Sequence, residues 1–255
     1  MRDILKEIQE KLVEIEKKEN VTILLAVESG SRAWGFASPD SDYDVRFIYI
    51  RNEKEYLRLD EPRDVIEWQL DDVLDMNGWD LKKALLQFHR GNATLFEWSN
   101  SPVVYKRTAL WDEIYDKAKV YFSKKAAIYH YYGTAQSTYK GYLQDENIKY
   151  KKYFYALRPL LECRYIEQYG QVPPVLFDDL LKMDLPETLS GAIHRLLEVK
   201  VQTQEKELHP QMPEILDFIR DEIGRQKQMA DDMEDDRRAE WEPLNTLFYH
   251  CLTKV

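Results

Sequence analysis

Glycine is scarce in this chain: nine in 255 residues, few for an all-β architecture with its many tight turns. Cysteine is scarcer still. Cys163 and Cys251 stand alone and far apart, which excludes a disulfide framework and a cysteine-built zinc cluster. The five histidines are scattered, and no Ser-His or Cys-His pairing marks a nucleophilic catalyst. Positive charge is outweighed: 36 Lys and Arg against 46 Asp and Glu leave a formal net charge of −10. That balance argues against broad duplex DNA binding through a general basic surface, while leaving room for local patches that grip one nucleotide or one strand end. No apolar run approaches membrane-spanning length. The start, Met1-Arg2-Asp3-Ile4, is charged from its second residue and has no apolar signal region. A protein of the reducing cytoplasm, with no membrane partner, is the expectation. No internal repeat is evident.

What is present supports a packed core. Hydrophobic residues make up 44%, and 17 Tyr and 6 Trp rule out a disordered tail. The length suits one large domain or two smaller ones. One stretch organises the rest, from Glu28 to Val45. Apolar, β-branched runs flank it, Val21 to Val27 before and Val45 to Ile50 after, and both read as strands. Between them lie a small-residue turn, Ser29-Gly30-Ser31, a short helix, and a polar turn ending in Ser41-Asp42-Tyr43-Asp44. Gly30 lets backbone approach a bound group, and the amides of Ser31 and Arg32 open a helix, an arrangement that favours phosphate. Asp42 and Asp44 are spaced by two, which on a strand places both carboxylates on one face. Side-by-side carboxylates repel unless protonated or shared by a cation, and oxygen ligands of this kind suit Mg²⁺ when the ligand brings its own phosphates.

Elsewhere the periodicity is mostly helical. Ile4, Ile8, Leu12 and Ile15 predict an amphipathic helix over residues 3–18 that packs on a sheet. Arg51 to Leu59 reads as a turn and short helix. Asp64 to Leu70 alternates as a half-buried strand, with Val65, Glu67 and Gln69 on one face and Ile66, Trp68 and Leu70 on the other, close enough in sequence to lie beside the Asp42–Asp44 strand. Asp71, Asp72 and Asp75 read as part of a polar loop before a helix that carries Leu81, Ala84, Leu85 and Phe88 and stops at Gly91. Helices are expected over 109–121, 124–143, 150–169, 188–207, 213–233 and 244–252, with a short piece at 176–183. On the 150–169 segment, Phe154, Leu157 and Leu161 face a core, and Lys151, Tyr155 and Arg158 share another face at i, i+4, i+7. Cations beside aromatic rings suit triphosphate binding and base stacking, and Pro159 is placed to bend the helix.

The residues Gly30-Ser31, Gly35 and Ser41-Asp42-Tyr43-Asp44-Val45 resemble the signature of the polymerase-β-type nucleotidyltransferase superfamily. The fuller string Glu28 to Gly35 resembles its RNA-ligase-associated branch. So do Asn77-Gly78-Trp79-Asp80-Leu81-Lys82-Lys83, with Asn92 and Glu97-Trp98, and Lys152 to Pro159. The resemblance spans roughly residues 20–165. It implies an α+β fold: a small mixed β-sheet nucleotidyltransferase domain in residues 1–105, its strands within 20–70, and a C-terminal helical bundle in 106–255 as the opposite wall of a cleft. It implies a Mg²⁺-dependent enzyme, using two Mg²⁺ ions or Mn²⁺ in their place. Such an enzyme moves a nucleoside monophosphate from an NTP donor to an acceptor hydroxyl, an RNA end among the candidates. Asp42 and Asp44 are then the metal ligands and catalytic carboxylates. The superfamily takes a third carboxylate from a neighbouring strand, and Glu67 is the candidate here, with Asp80 in reserve. Gly30, Ser31 and Arg32 would bind the nucleotide's phosphates, and Lys152, Tyr155 and Arg158 would complete its site. A protein or small-molecule hydroxyl as acceptor, or a catalytically silent nucleotide- or RNA-binding scaffold, are the alternatives. Base preference and oligomeric state are not legible.

Overall fold

The computed structural model describes residues 3–38, 41–69, 71–202 and 207–255. The chain divides into two compact units, one of residues 1–33, 42–122 and 238–255, the other of 34–41 and 123–237.

The first unit begins with α1 (Ile4–Glu19). Asp3 caps it by accepting a hydrogen bond from the Lys6 amide at 3.2 Å, and Asn20 ends it in the left-handed conformation. Ile8, Leu12 and Ile15 are buried, as their spacing predicts. β1 (Val21–Ser29), the single-turn α2 (Gly30–Trp34) and β2 (Tyr43–Arg51) follow. Next come α3 (Glu53–Tyr56), β3 (Val65–Gln69), β4 (Leu74–Asp80), α4 (Leu81–His89), α5 (Ala93–Ser99), β5 (Val104–Arg107) and α6 (Ala109–Ala118), the last running into a turn of 3₁₀ helix at Lys119–Tyr121.

Five strands form one mixed sheet in the order β3-β4-β2-β1-β5. β2 pairs antiparallel with β1 and parallel with β4, while β3 pairs antiparallel with β4 and β5 with β1. α1 packs on one face, over Val45, Phe47, Tyr49, Leu74 and Met76. α4, α5 and α6 contact the strands too, and Ile48 and Ile50, which alternate with the α1-facing residues of β2, are buried as well.

Two expectations need correcting here. The sheet does not end at residue 70: it includes β4 and β5. Leu74 and Met76 are buried and alternate with half-buried Asp75 and Asn77, so the stretch taken for a polar loop is a strand with one apolar face. Nor does β3 lie beside β2, because β4 comes between them. Leu70 lies outside the described residues.

Gly78 shows how tightly β2 and β4 pack. It is in register with Phe47, and a Cβ there would meet the ring at 2.1 Å. The ring is fully buried and has no room to retreat. Gly78→Ala is therefore expected to lower the unfolding free energy by about 3 kcal/mol or more, measured by urea denaturation.

The second unit holds α7 (Lys124–Tyr142), β6 (Asn147–Ile148), α8 (Lys151–Tyr169), α9 (Phe177–Leu180), α10 (Glu187–Gln202), β7 (His209–Pro210) and α11 (Pro213–Asp232). β6 and β7 form a two-stranded ribbon. Of the helix expected over 188–207, residues 203–206 lie outside the described residues and Glu207 is not helical. α8 is the centre of this unit. Its residues Tyr153, Phe154 and Ala156–Cys163 are all buried, against Phe177, Leu180, Ile193, Leu196, Ile215 and Ile219. Phe36, from the loop after α2, joins the same core. The charged stretch after α11 has no regular secondary structure and is tied down where Asp236 accepts hydrogen bonds from the Ser123 hydroxyl at 2.6 Å and the Lys124 amide at 2.8 Å.

The chain ends in α12 (Glu242–Leu252), which packs on α4 and α6 in the first unit. The division thus differs from a cut at 105/106. α6 and α12 bury Trp111, Ile114, Leu244, Leu247 and Cys251 within the sheet-bearing unit. Among the described residues, no helix is long and apolar enough to cross a membrane.

Candidate active site

Three strands bring polar residues into one row on the face opposite α1. Ser29 of β1, Asp44 of β2 and Asp75 of β4 are directly in register. Asp42, exposed, precedes β2 by one residue. One position along, Arg46 of β2 is in register with Asn77 of β4, which is in register with Glu67 of β3.

Gly30 begins α2 with φ +65°, and a Cβ on it would sit 2.5 Å from Asp44 Oδ2. Only a glycine lets the chain turn this way so close to that carboxylate. Ser31 and Arg32 are half-buried beside it. Arg32 donates from Nε to the Asp42 carbonyl at 3.0 Å and lays its guanidinium over the Tyr43 ring at 3.7 Å. The turn is thereby pinned to the start of β2.

Behind β2, Glu28 is 1% exposed. It accepts hydrogen bonds from the Asp44 amide at 2.7 Å and from the Tyr105 hydroxyl. Burial raises its carboxyl above the usual range against the pull of both donors. It fixes the backbone of Asp44 rather than facing the row.

Asp44 itself is raised, first by burial. Arg46 pulls it down, and the charges of Asp75 and Asp42 push it up. That is the electrostatic state of a carboxylate group short of positive charge. Asp42, Asp44 and Asp75 offer only hard oxygen donors, which fit Mg²⁺ or Mn²⁺. Among the described residues, no three Asp, Glu, His or Cys side chains are arranged to hold an ion unaided. An ion held here would need further oxygens, from bound phosphate or water.

Neither expected third carboxylate is next to Asp44. Glu67 lies two strands from β2, about 10 Å across the sheet, where its Oε1 accepts from Asn77 Nδ2 at 3.4 Å. Asp80 is on the opposite face of β4, in register with Tyr49 and buried. It caps α4, accepting from the Lys82 amide at 2.8 Å, and accepts from the Tyr56 hydroxyl at 3.0 Å. Asp75 is the carboxylate that faces Asp44. Its sequence signal was the alternation Leu74, Met76 against Asp75, Asn77. Arg46, Glu28 and Tyr105 also surround Asp44: Arg46 follows it by two on β2, and Glu28 and Tyr105 reach it through the pairing of β1 with β2 and with β5.

The buried Asp80 carboxyl has its own consequence. Burial pushes it up to about 6, with Arg51 Nε too distant at 4.0 Å to offset this. Below about pH 4 the group is protonated in folded and unfolded chains alike. Between there and pH 6 the unfolded chain loses the proton and the folded chain keeps it, so stability falls as pH rises. Above pH 6 the loss is complete, about 3 kcal/mol. Asp80→Asn is expected to remove this contribution, seen as a denaturation midpoint that gains on the wild type's as pH rises from 4 to 7.

The second set of expected nucleotide-binding residues lies in the helical unit. Lys152 places Nζ 3.8 Å over the Tyr142 ring and 5.3 Å over Tyr155. Tyr155 meets Trp34 edge-on at 5.4 Å. Arg158 does not share an outer face with Lys151: it is 3% exposed, ion-paired with Glu162 at 2.8 Å and stacked over Trp34 at 4.5 Å. α8 is buried nearly all round at this level, and Glu162, one turn on, supplies the counter-charge that an enclosed guanidinium requires.

Comparison with known proteins places the chain among relatives. The profile of the RNA repair pathway DNA polymerase beta family matches residues 4–250. The uncharacterized protein YcgL of Bacillus subtilis (strain 168) is 40% identical over 250 residues, covering 97% of this chain and 96% of that one. A crystal structure of a nucleotidyltransferase-like protein from Exiguobacterium sibiricum 255-15 aligns at TM-score 0.36 and 11% identity, over 88% of this chain and 76% of that one. A likeness that loose carries no argument about the site.

Proposed function

The chain belongs to the RNA repair pathway DNA polymerase beta family, and from that premise we propose that it is a nucleotidyltransferase that moves an NMP from an NTP to an acceptor hydroxyl and releases pyrophosphate. The observation that carries this reading is the row Ser29–Asp44–Asp75, with Gly30 against Asp44 Oδ2. Asp42, Asp44 and Asp75 would hold the divalent cation, Asp75 in the role first sought at Glu67. When bound, the cation supplies charge neutralisation at the phosphates and a more acidic attacking hydroxyl. Gly30 lets the turn close on Asp44, and the Ser31 hydroxyl would give a phosphate chain a donor. Glu28 and Tyr105 keep the Asp44 backbone in place. No side chain acts as a nucleophile, so positioning and charge stabilisation carry the reaction.

The family description ties its members to RNA repair, and a terminal RNA hydroxyl is the proposed acceptor. The test is incubation with NTPs labelled at the α-phosphate, Mg²⁺ or Mn²⁺, and short single-stranded RNAs. Label in RNA that disappears with Asp44→Asn is the expected result. Label on protein would replace the acceptor but keep the chemistry. Nucleotide binding without label under any metal would favour a silent scaffold.

A further inference from the structure

The guanidinium of Arg46 lies between the two facing carboxylates. One terminal nitrogen is 3.0 Å from Asp44 Oδ1, and the other is 2.8 Å from Asp75 Oδ2 and 3.2 Å from the Val45 carbonyl. Its side chain is 19% exposed, against 37% for Asp44 and 44% for Asp75. The fork is therefore the more covered partner, and both carboxylates keep an open side. Two carboxylates held in register across neighbouring strands need positive charge between them. A forked guanidinium and a divalent cation are two sources of it, and a cation drawn to the pair competes with Arg46 for the same two carboxylates.

We propose that Arg46 is the site's own counter-ion, holding Asp44 and Asp75 until a divalent cation takes its place. The inference rests on reading Asp44 as a metal ligand. A cation arriving alone must drive the guanidinium off two carboxylates. A cation arriving with a nucleotide brings phosphate oxygens that match the released fork. Metal and nucleotide binding are thereby coupled, and the coupling is reciprocal. Arg46 is in this sense a positioning residue: it keeps the carboxylates together, and it makes the bare metal a poor ligand compared with the metal–nucleotide complex.

The test is Mn²⁺ binding by the whole protein, followed by electron paramagnetic resonance of the free ion, with and without α,β-methylene-ATP. Arg46→Gln is expected to bind Mn²⁺ alone about tenfold more tightly than the wild type, the removal of one competing charge-assisted contact. Its enhancement by the nucleotide should shrink by a similar factor. Arg46→Lys, which keeps a charge but loses the fork, should fall between the two. It carries the test if Arg46→Gln does not fold. Equal or weaker Mn²⁺ binding in a folded Arg46 variant overturns the exchange, while nucleotide-dependent Mn²⁺ binding lost in Asp44→Asn would leave the metal site standing. Wild-type protein that binds no Mn²⁺ with nucleotide, or binds it as well after Asp44→Asn, overturns the metal site and the exchange together.

Discussion

Asp44→Asn is expected to cut nucleotidyl transfer by about 10³-fold, near 4 kcal/mol of barrier, with the folded structure retained. The amide keeps the size of the carboxylate, and its oxygen can still accept from Arg46, which donates to Asp44 Oδ1 at 3.0 Å in the native site. What it removes is charge. In the folded protein that charge is partly buried and crowded by Asp75 and Asp42, so its loss relieves more than it costs. A fall in activity with an unchanged or raised melting temperature is the signature, measured by label transfer and calorimetry on the same sample. A fall in both would mark Asp44 as a structural residue.

Gly30→Ala should produce the second large effect, about 10²-fold in activity. Two constraints meet at this residue. Its φ of +65° disfavours any side chain, at about 1 kcal/mol. A Cβ would also sit 2.5 Å from Asp44 Oδ2, and that carboxylate end is what can give way. Displacing it by about 1 Å harms catalysis more than folding. Gly133→Ala is the control. It lies within α7 with nothing within 4 Å of the added methyl, so helix propensity alone should raise stability by about 0.5–1 kcal/mol and leave activity alone. Equal activity losses in the two variants would contradict the close approach at Gly30.

Much of the first unit could be read along the chain because its signals are local. The Ile8-Leu12-Ile15 spacing, the β-branched runs of β1 and β2, and the Gly30 turn between them need no distant partner to be recognised. β4 was hidden by composition: Asp75, Asn77 and Gly78 are turn-formers, yet here Gly78 exists to admit the Phe47 ring and Asp75 to face Asp44. The register of Asp75 with Asp44 is hidden for the same reason, since parallel pairing of β2 with β4 carries no sequence marker once β4 reads as loop. The burial of Arg158 is not legible because i, i+4, i+7 spacing defines a face but not whether it is covered. The informative neighbour was Glu162, which makes burial of that charge affordable. The return of α12 to the first unit rests on long-range packing with α4 and α6, to which no local pattern points.

The most direct test of the central claim is to locate the cation. Crystals soaked with Mn²⁺ and α,β-methylene-ATP should show an anomalous scattering peak in contact with carboxylate oxygens of Asp42, Asp44 and Asp75, with the triphosphate beside Gly30. A peak held by other side chains, or a bound nucleotide with no ion at these three aspartates, would contradict it.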